Sequence, residues 1–365
     1  MNLTGNIVTP GGIFRGVLRT EGERIAAIEP DDSVTGDALL IPGFIDVHCH
    51  GGDGATYTTG DAAQARKAAA FHLRHGTTTT LASLVSSPRE VMVRAVEAFR
   101  PLVDEGVLHG IHFEGPYLSG ARCGAQNPAA LRDPDLGELA ELVDAGAGAV
   151  KMMTIAPERE GAMEAISYLA SRGVIASIGH TDASYEVTQD GVGAGARAAT
   201  HTFNGMRPIG HRDPGPIPAL FNAPGVICEF IVDPVHLHMG TVAFAVNAIG
   251  AGRIVAVTDA MSATGMADGE YDLGGLRVRV AEGAARLVEG GSIAGSTITM
   301  IDAFRNAVLG AGLTVPEAVQ ITATTPARLL GLDDRGVLAV GMRADVLELD
   351  TGMNLRGVVR GGSKV

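Results

Sequence analysis

The sequence predicts an α/β protein: a (β/α)8 barrel with a small β-sandwich domain built from both termini. Eight short apolar runs recur along the chain, and helical segments lie between most of them. Near-continuous apolar strands are typical of parallel sheets covered on both faces, and eight such units favour a closed barrel over an open sheet. Short alternating segments without helices at both ends indicate the separate β-domain.

The apolar runs give the order of the predicted elements. The barrel strands are expected near residues 40–47, 77–82, 107–114, 148–155, 174–178, 197–201, 226–232 and 253–258. After the second strand, Ser87 is interpreted as a helix N-cap and Pro88 as the first helical residue. Residues 1–39 and 332–365 are predicted to form the β-domain together, because neither flank can bury a core alone. The catalytic barrel is then predicted over residues 40–331.

Composition excludes several classes of function. The 365 residues are 46% hydrophobic and 19% charged, which is typical of a folded chain. The formal net charge of −13 repels nucleic acid and anionic lipid surfaces, so neither is an expected partner. We expect neither export nor membrane insertion, because no signal-peptide pattern or long apolar run is found. Three cysteines, an odd and sparse set, predict a cytoplasmic protein.

Metal-ligand residue types lie at the carboxyl ends of five predicted strands. His48 and His50 form an H-x-H pair whose side chains point the same way, because side chains alternate along a strand. The other four strand ends carry Glu114, His180, His201 and Asp259. In a (β/α)8 barrel these ends form the active-site face, so the side chains are expected to converge. One metal site explains five such strand ends better than five independent structural residues do.

The mixed ligand set predicts the chemistry. Imidazoles and carboxylates together favour zinc, with iron, manganese and cobalt as alternatives. A divalent ion lowers the pKa of water and polarises a carbonyl, which is the chemistry of hydrolysis. The reaction also needs a proton acceptor that later acts as a donor, and Asp259 on the last strand fits this role. A plain metal ligand is the alternative for Asp259, and the two roles are compatible.

Six motifs carry a resemblance to a known family. They are PGFIDVHCHG, HFEGPYL, GHTDA, THTFNGM, DPVHLH and VTDAM. In this order they resemble the amidohydrolase superfamily and, within it, the family of N-acetylglucosamine-6-phosphate deacetylases; HFEGP and THTFNGM discriminate best. The resemblance covers nearly the whole chain. It implies hydrolysis of the acetamide of N-acetylglucosamine-6-phosphate to glucosamine-6-phosphate and acetate, in amino sugar catabolism or cell-wall recycling.

The resemblance also implies the metal ligands. Glu114, His180 and His201 match the main metal triad of the family. Some members have Gln-x-Asn where this chain has His48 and His50, and those members hold one metal ion. The histidines here permit a second ion with Glu114 as the bridge, so one or two ions per subunit are expected.

Catalytic and substrate-binding roles follow in the same way. Asp259 matches the family's catalytic acid and base, and His236 matches the histidine that polarises the acetyl carbonyl and contacts the substrate. Gln126 stands where relatives have a substrate-contacting histidine, so that contact is either made by the amide or absent.

The phosphate-binding segment is the part that distinguishes substrates. Asn204, Gly205 and Arg212 match it, and the physics agrees, because turn N–H groups and a guanidinium both bind anions. The resemblance also implies a homodimer, with Arg212 reaching the site of the neighbouring subunit.

Two other functions stay open at this point. A cyclic-amide hydrolase or deaminase on the same barrel would attack a ring C–N bond and would need no phosphate site. A metal-free relative that assembles through its surface is the non-enzymatic alternative, and the strand-end ligands argue against it. His112 is interpreted as a support for a metal ligand, and Lys151 as a weaker candidate for a bridging ligand.

Overall fold

Strands and helices alternate through most of the chain in the computed structural model, which describes residues 1–365. In chain order the strands are β1 (Asn2–Thr9), β2 (Gly12–Glu21), β3 (Arg24–Pro30), β4 (Leu39–Pro42), β5 (Phe44–Asp46), β6 (Gly51–Gly52), β7 (Ala55–Thr56), β8 (Thr77–Val85), β9 (Gly110–Glu114), β10 (Val150–Ile155), β11 (Ile175–Ile178), β12 (Ala198–Ala199), β13 (Ile227–Ile231), β14 (Ile254–Val257), β15 (Gly269–Leu273), β16 (Leu276–Ala281), β17 (Ala284–Leu287), β18 (Val346–Leu349), β19 (Leu355–Arg360) and β20 (Ser363–Lys364).

The helices fill the intervals between the central strands. They are α1 (Ala62–Arg74), α2 (Arg89–Asp104), α3 (Leu136–Gly146), α4 (Ala162–Ser171), α5 (Tyr185–Ala194), α6 (Pro216–Asn222), α7 (Met239–Ile249), α8 (Met300–Arg305), α9 (Val315–Val319) and α10 (Thr325–Leu329). A π-helical turn extends α8, and a second one joins α9 to α10. Helix α2 begins at Arg89, so the predicted N-cap role of Ser87 is wrong; its hydroxyl donates to the Val85 carbonyl instead. None of the helices combines the length and apolarity needed to cross a bilayer.

Eight parallel strands form the barrel, as the sequence predicts. Their order is β14-β13-β12-β11-β10-β9-β8-β5, and every neighbouring pair is parallel. The first and last strands meet just beyond their carboxyl ends, where Asp259 N–H donates to the His48 carbonyl at 2.8 Å and His50 N–H donates to the Ala260 carbonyl at 2.8 Å. Closure of the barrel therefore joins the H-x-H segment directly to the predicted catalytic aspartate.

The run predicted as one strand over residues 40–47 is two strands. Leu39–Pro42 pairs with β1 and β18 at the termini, whereas Phe44–Asp46 pairs with β8 in the barrel. Gly43 separates them, and a Cβ on this residue would lie 2.3 Å from the Thr78 hydroxyl, so the close approach requires glycine. The predicted division of the chain at residues 39 and 332 stays a prediction. The strand pairing places β4, which begins at Leu39, in the same sheet as the terminal strands.

Both termini contribute to one seven-stranded sheet, in the order β20-β19-β18-β4-β1-β2-β3. Alternate side chains such as Ile7 and Leu40 enclose a small apolar core, while their neighbours Val8 and Ile41 contact the core of the barrel. The sheet bends back on itself, because Ile25 N–H donates to the carbonyl of Met342. The fold class predicted from the sequence, a barrel with a β-domain from both ends, is confirmed.

A three-stranded antiparallel sheet, β15-β16-β17, is inserted between β14 and α8. Its apolar face packs on residues beside the barrel mouth, including Val85 and Met261. This sheet is not among the predicted elements, although two alternating segments around Gly274 and Gly275 are a recognisable hairpin signal.

Candidate active site

A cavity of about 280 Å³ opens at the carboxyl ends of the barrel strands. The predicted site residues that line it are His50, Glu114, Gln126, His180, His201, Asn204, Gly205, His236 and Asp259. His48 lies behind this surface with no exposed area. Arg212 is exposed and does not line the cavity of its own chain. The structure therefore brings together all of the predicted site residues except this arginine.

The metal-ligand residues form two buried groups of three. One comprises His48, His50 and Asp259, and the other comprises Glu114, His180 and His201. In the second group, the Glu114 Oε1 atom lies 3.0 Å from His180 Nε2 and 2.9 Å from His201 Nε2. Glu114 also approaches the first group, since its Oε2 atom lies 3.2 Å from His50 Nε2. One carboxylate thus touches both groups, as a bridging ligand would.

The hydrogen bonds of the histidines suit a role as metal ligands. His50 Nδ1 lies 3.1 Å from the Ser83 carbonyl, and His180 Nδ1 lies 2.8 Å from the Arg122 carbonyl. A carbonyl only accepts, so each Nδ1 carries a proton and a neutral ring presents a lone pair at Nε2. His48 Nδ1 lies 3.1 Å from the Glu229 carboxylate, which is also an acceptor, so this nitrogen carries a proton as well.

The Nε2 atoms of these histidines and of His201 face one another at short range. His48 Nε2 and His50 Nε2 are 3.1 Å apart, and His180 Nε2 and His201 Nε2 are 3.0 Å apart. Two facing lone pairs repel each other unless a cation lies between them. Divalent metal ions take this combination of imidazole and carboxylate donors, so the residues present fit a metal site.

The electrostatic potential of the carboxylates at the cluster is negative. Burial lowers the pKa of His50, but the carboxylates of Asp259 and Glu114 outweigh burial and raise that pKa to about 9. Burial likewise raises the pKa of Glu114, and the imidazoles of His48, His180 and His201 overcome it and hold the value well below the usual range. Both shifts show that the cluster favours ionised carboxylates together with positive charge.

Three of the ligand residues have left-handed backbone conformations. The φ angles are 46° at His180, 27° at His201 and 49° at Asp259. Such angles are uncommon for residues other than glycine and cluster at functional sites. Each of these residues lies two positions beyond the end of a barrel strand, so the turn aims its side chain across the mouth of the barrel.

Gln126 and His236 are both held by specific hydrogen bonds. The Gln126 amide donates to Glu114 Oε2 at 2.6 Å and accepts from the backbone N–H of Ser86 at 2.7 Å. It therefore orients the carboxylate that touches both groups, a role that differs from the substrate contact considered from the sequence. His236 Nδ1 lies 2.9 Å from the carboxylate of Asp233, which leaves Nε2 as its free ring nitrogen at the cavity.

The predicted phosphate-binding turn lies against a metal ligand. Gly205 has a φ of 59°, and a Cβ there would lie 2.9 Å from His180 Nδ1, so only glycine allows this approach. Its carbonyl accepts from the backbone N–H of Thr181 at 2.9 Å. The nearest basic residues of the same chain, Arg122 and Arg207, are both ion-paired with Asp182.

The two other candidates differ in outcome. His112 lies beneath the cluster and bonds Ser83 Oγ and Thr154 Oγ1, both at 2.9 Å, so it supports the site without facing the cavity. Lys151 is the second residue of β10 and lies at the opposite end of the barrel from the cavity. The hypothesis of a bridging lysine is therefore wrong, because Lys151 lies near the start of its strand and the cavity opens at the strand ends.

Comparison with known proteins identifies the family. The model of the amidohydrolase family matches residues 39–365. The chain belongs to the amidohydrolase family. This membership confirms the resemblance seen in the sequence motifs, and metal dependence is a property of this family.

Individual relatives refine the comparison. The chain is 38% identical to an N-acetylglucosamine-6-phosphate deacetylase of Lysinibacillus sphaericus, over 89% of this chain and 84% of that protein. It is 35% identical to an N-acetylgalactosamine-6-phosphate deacetylase of Escherichia coli O157:H7, over 93% and 92%. A solved structure is also similar, with 41% identity and a TM-score of 0.97 over 100% of this chain and 98% of that one. It is a mutant N-acetyl-D-glucosamine-6-phosphate deacetylase of Mycobacterium smegmatis in complex with N-acetyl-D-glucosamine-6-phosphate.

We predict that His201→Ala loses the metal ion held by the Glu114 group, because it removes one of three protein ligands. Metal analysis after dialysis should find depleted metal in this variant. His48→Ala should keep one ion, because its ring belongs to the other group. Wild-type metal content in His201→Ala would contradict the ligand assignment.

Proposed function

We propose that this protein hydrolyses the acetamide of N-acetylglucosamine-6-phosphate to glucosamine-6-phosphate and acetate. The observation that carries the proposal is the convergence of Asp259 and His236 with two metal-ligand groups around one cavity. Similarity to deacetylases of N-acetylamino sugar phosphates over nearly the whole chain supports it. A cyclic-amide hydrolase or deaminase is the alternative, and the turn at Asn204 and Gly205 favours the sugar phosphate.

Zinc is the proposed metal, with iron, manganese and cobalt as alternatives, and one or two ions are bound per subunit. Glu114, His180 and His201 would hold one ion, and His48 and His50 would hold another together with Asp259. When bound, such an ion lowers the pKa of water and polarises the acetyl carbonyl. Each group offers three protein ligands and faces the cavity on its remaining side. This arrangement suits a catalytic site, because a catalytic metal ion needs a coordination position that water or substrate can occupy.

The residues of the chain move the protons and orient the substrate. Asp259 accepts a proton from the attacking water as the C–O bond forms, and then delivers it to the amine nitrogen as the C–N bond breaks. His236, whose Nδ1 is held by Asp233, directs its Nε2 side at the carbonyl oxygen of the acetyl group. A hydrogen bond donated from this nitrogen would stabilise the oxyanion that develops there.

The phosphate end of the substrate needs positive charge from elsewhere. The cavity of one chain is lined by no lysine or arginine, and the chain carries a net charge of −13. The N–H groups of the turn at Asn204 and Gly205 supply partial positive charge. We propose that the protein is a homodimer in which Arg212 completes the phosphate site of the neighbouring subunit. The cytoplasmic location stays a prediction; all three cysteines are free thiols.

The function is tested by acetate release from N-acetylglucosamine-6-phosphate with and without a chelator. We expect release that the chelator abolishes and added Zn²⁺ restores. Parallel assays with unphosphorylated N-acetylglucosamine and with N-acetylgalactosamine-6-phosphate measure the need for phosphate and the choice of epimer. Equal efficiency on the unphosphorylated sugar would contradict the phosphate site and favour the cyclic-amide alternative.

Asp259→Asn is expected to lower kcat by about 10²- to 10⁴-fold, the usual contribution of general acid–base catalysis. An amide can neither take the proton of the water nor return it to the amine. Metal analysis should still find the ion of the Glu114 group, since Asp259 is not a member of that group. A kcat close to wild type would remove Asp259 from the mechanism.

Arg212→Ala is expected to lower kcat/KM for the phosphorylated sugar by about 10- to 150-fold, the value of a charge-assisted hydrogen bond of about 1.5 to 3 kcal/mol. The rate on the unphosphorylated sugar should hardly change. The side chain is exposed, so the fold should be unaffected.

Mixed dimers decide whether Arg212 acts between subunits. If it does, a dimer of one Arg212→Ala chain and one Asp259→Asn chain contains one site with both residues, and mixing the two variants restores activity. If it acts within one chain, no site is complete. Mixtures that stay as inactive as their components would contradict the proposed role across subunits.

A further inference from the structure

Glu229 is a buried carboxylate that the proposed mechanism does not use, although it lies directly behind the metal ligands. It occupies the middle of β13, in the otherwise apolar strand ICEFI, and its side chain has no exposed surface. A carboxylate without a compensating partner is costly to bury. Its place in the barrel interior therefore requires a source of positive charge close by.

The contacts of Glu229 lead to one metal ligand. Its Oε2 atom lies 3.1 Å from His48 Nδ1 and accepts from the backbone N–H of His201 at 3.3 Å. Its Oε1 atom is buried and has no hydrogen-bond partner. His48 is its only ionic partner, and no lysine or arginine pairs with it. Positive charge that compensates Glu229 must therefore lie on the ring of His48 or on a cation bound to that ring.

His48 differs in this respect from the other ligand histidines. The Nδ1 atoms of His50 and His180 lie against neutral backbone carbonyls, and Nδ1 of His201 has no partner. Only His48 has an anionic acceptor behind it. A carboxylate in this position fixes the tautomer of the ring and makes its other nitrogen a better ligand.

We propose that Glu229 is a positioning residue for the metal position formed by His48, His50 and Asp259, and that its negative charge sets the affinity of that position for a divalent cation. The position formed by Glu114, His180 and His201 contacts Glu229 only through one backbone N–H. Its affinity is expected to be nearly independent of the charge on Glu229. The inference rests on the proposed function only for the presence of metal.

The test is a calorimetric titration of metal-free protein with Zn²⁺ alone, so no sugar is needed. Wild type is expected to bind two ions per chain. Glu229→Gln keeps the size of the side chain and a hydrogen-bond acceptor but removes the charge. It should bind one ion with unchanged affinity and the other about 10- to 100-fold more weakly, the range found when partners behind metal ligands are replaced.

A double-mutant cycle shows whether the charge acts through His48. His48→Ala should weaken the same ion, and adding Glu229→Gln to His48→Ala should cause no further loss of affinity. Ser177→Ala is the matched control. Its hydroxyl is as deeply buried in the barrel and bonds Thr200 Oγ1 at 2.7 Å, but it touches no metal ligand. This control should bind both ions as wild type does.

Three results would overturn the inference. They are wild-type affinity for both ions in Glu229→Gln, equal weakening of both ions in that variant, and a wild type that binds a single ion at saturating Zn²⁺. Further loss of affinity on adding Glu229→Gln to His48→Ala would also contradict it, because the charge would then act by another route. Absence of acetate release with intact Zn²⁺ binding would refute the proposed function and leave this inference standing.

Discussion

The structure depends on one electrostatic constraint, the need to hold four imidazoles and two carboxylates together in a buried cluster at the mouth of the barrel. Two pairs of imidazole nitrogens face each other at 3.0 to 3.1 Å, and a buried carboxylate touches both. Without a metal ion, protons must supply the compensating positive charge, as the pKa of His50, raised to about 9 by Asp259 and Glu114, indicates. The backbone must in either case hold these side chains close together. Closure of the barrel at His48, His50 and Asp259 supplies part of this rigidity, because the same segment that carries the ligands also joins the first strand to the last.

A layer of buried polar side chains lies directly below the ligands inside the barrel. Each barrel strand, or the residue next to its end, contributes one fully buried polar side chain; these are Asp46, Ser83, His112, Thr154, Ser177, Thr200, Glu229 and Thr258. Hydrogen bonds connect them laterally, as in the chain from His112 through Thr154 to Thr200. Buried polar groups are tolerated when they are paired. This layer supports the ligands from behind, and an apolar cluster that includes Leu81, Met152 and Ile227 fills the barrel beneath it.

The sequence predicts the parts of the molecule that have a strong local signal. The eight strands are buried apolar runs, and the ligands stand at their ends, so both could be located without a structure. Glu229 could not, because one glutamate within an apolar strand looks the same whether it faces the interior or a helix. The prediction for Lys151 is wrong because an apolar run does not by itself show which of its residues lie at the carboxyl end of the strand, and Lys151 lies near the amino end. The inserted sheet β15-β16-β17 is not predicted for a different reason, because the repeating strand–helix pattern of a barrel predicts a helix directly after the last strand.

Arg212 is exposed and lies outside the cavity lining of its own chain, and this position motivates the proposal of a site shared between subunits. Within one subunit the cavity contains two carboxylates, Glu114 and Asp259, and the basic residues closest to the phosphate turn are already paired with Asp182. Metal ions at the proposed positions would neutralise the carboxylates, but a phosphate beside the turn at Asn204 and Gly205 would meet no lysine or arginine in the lining of that cavity. The proposed homodimer would supply this charge by bringing Arg212 to the cavity of the neighbouring subunit. Assembly of two subunits would then complete the active site.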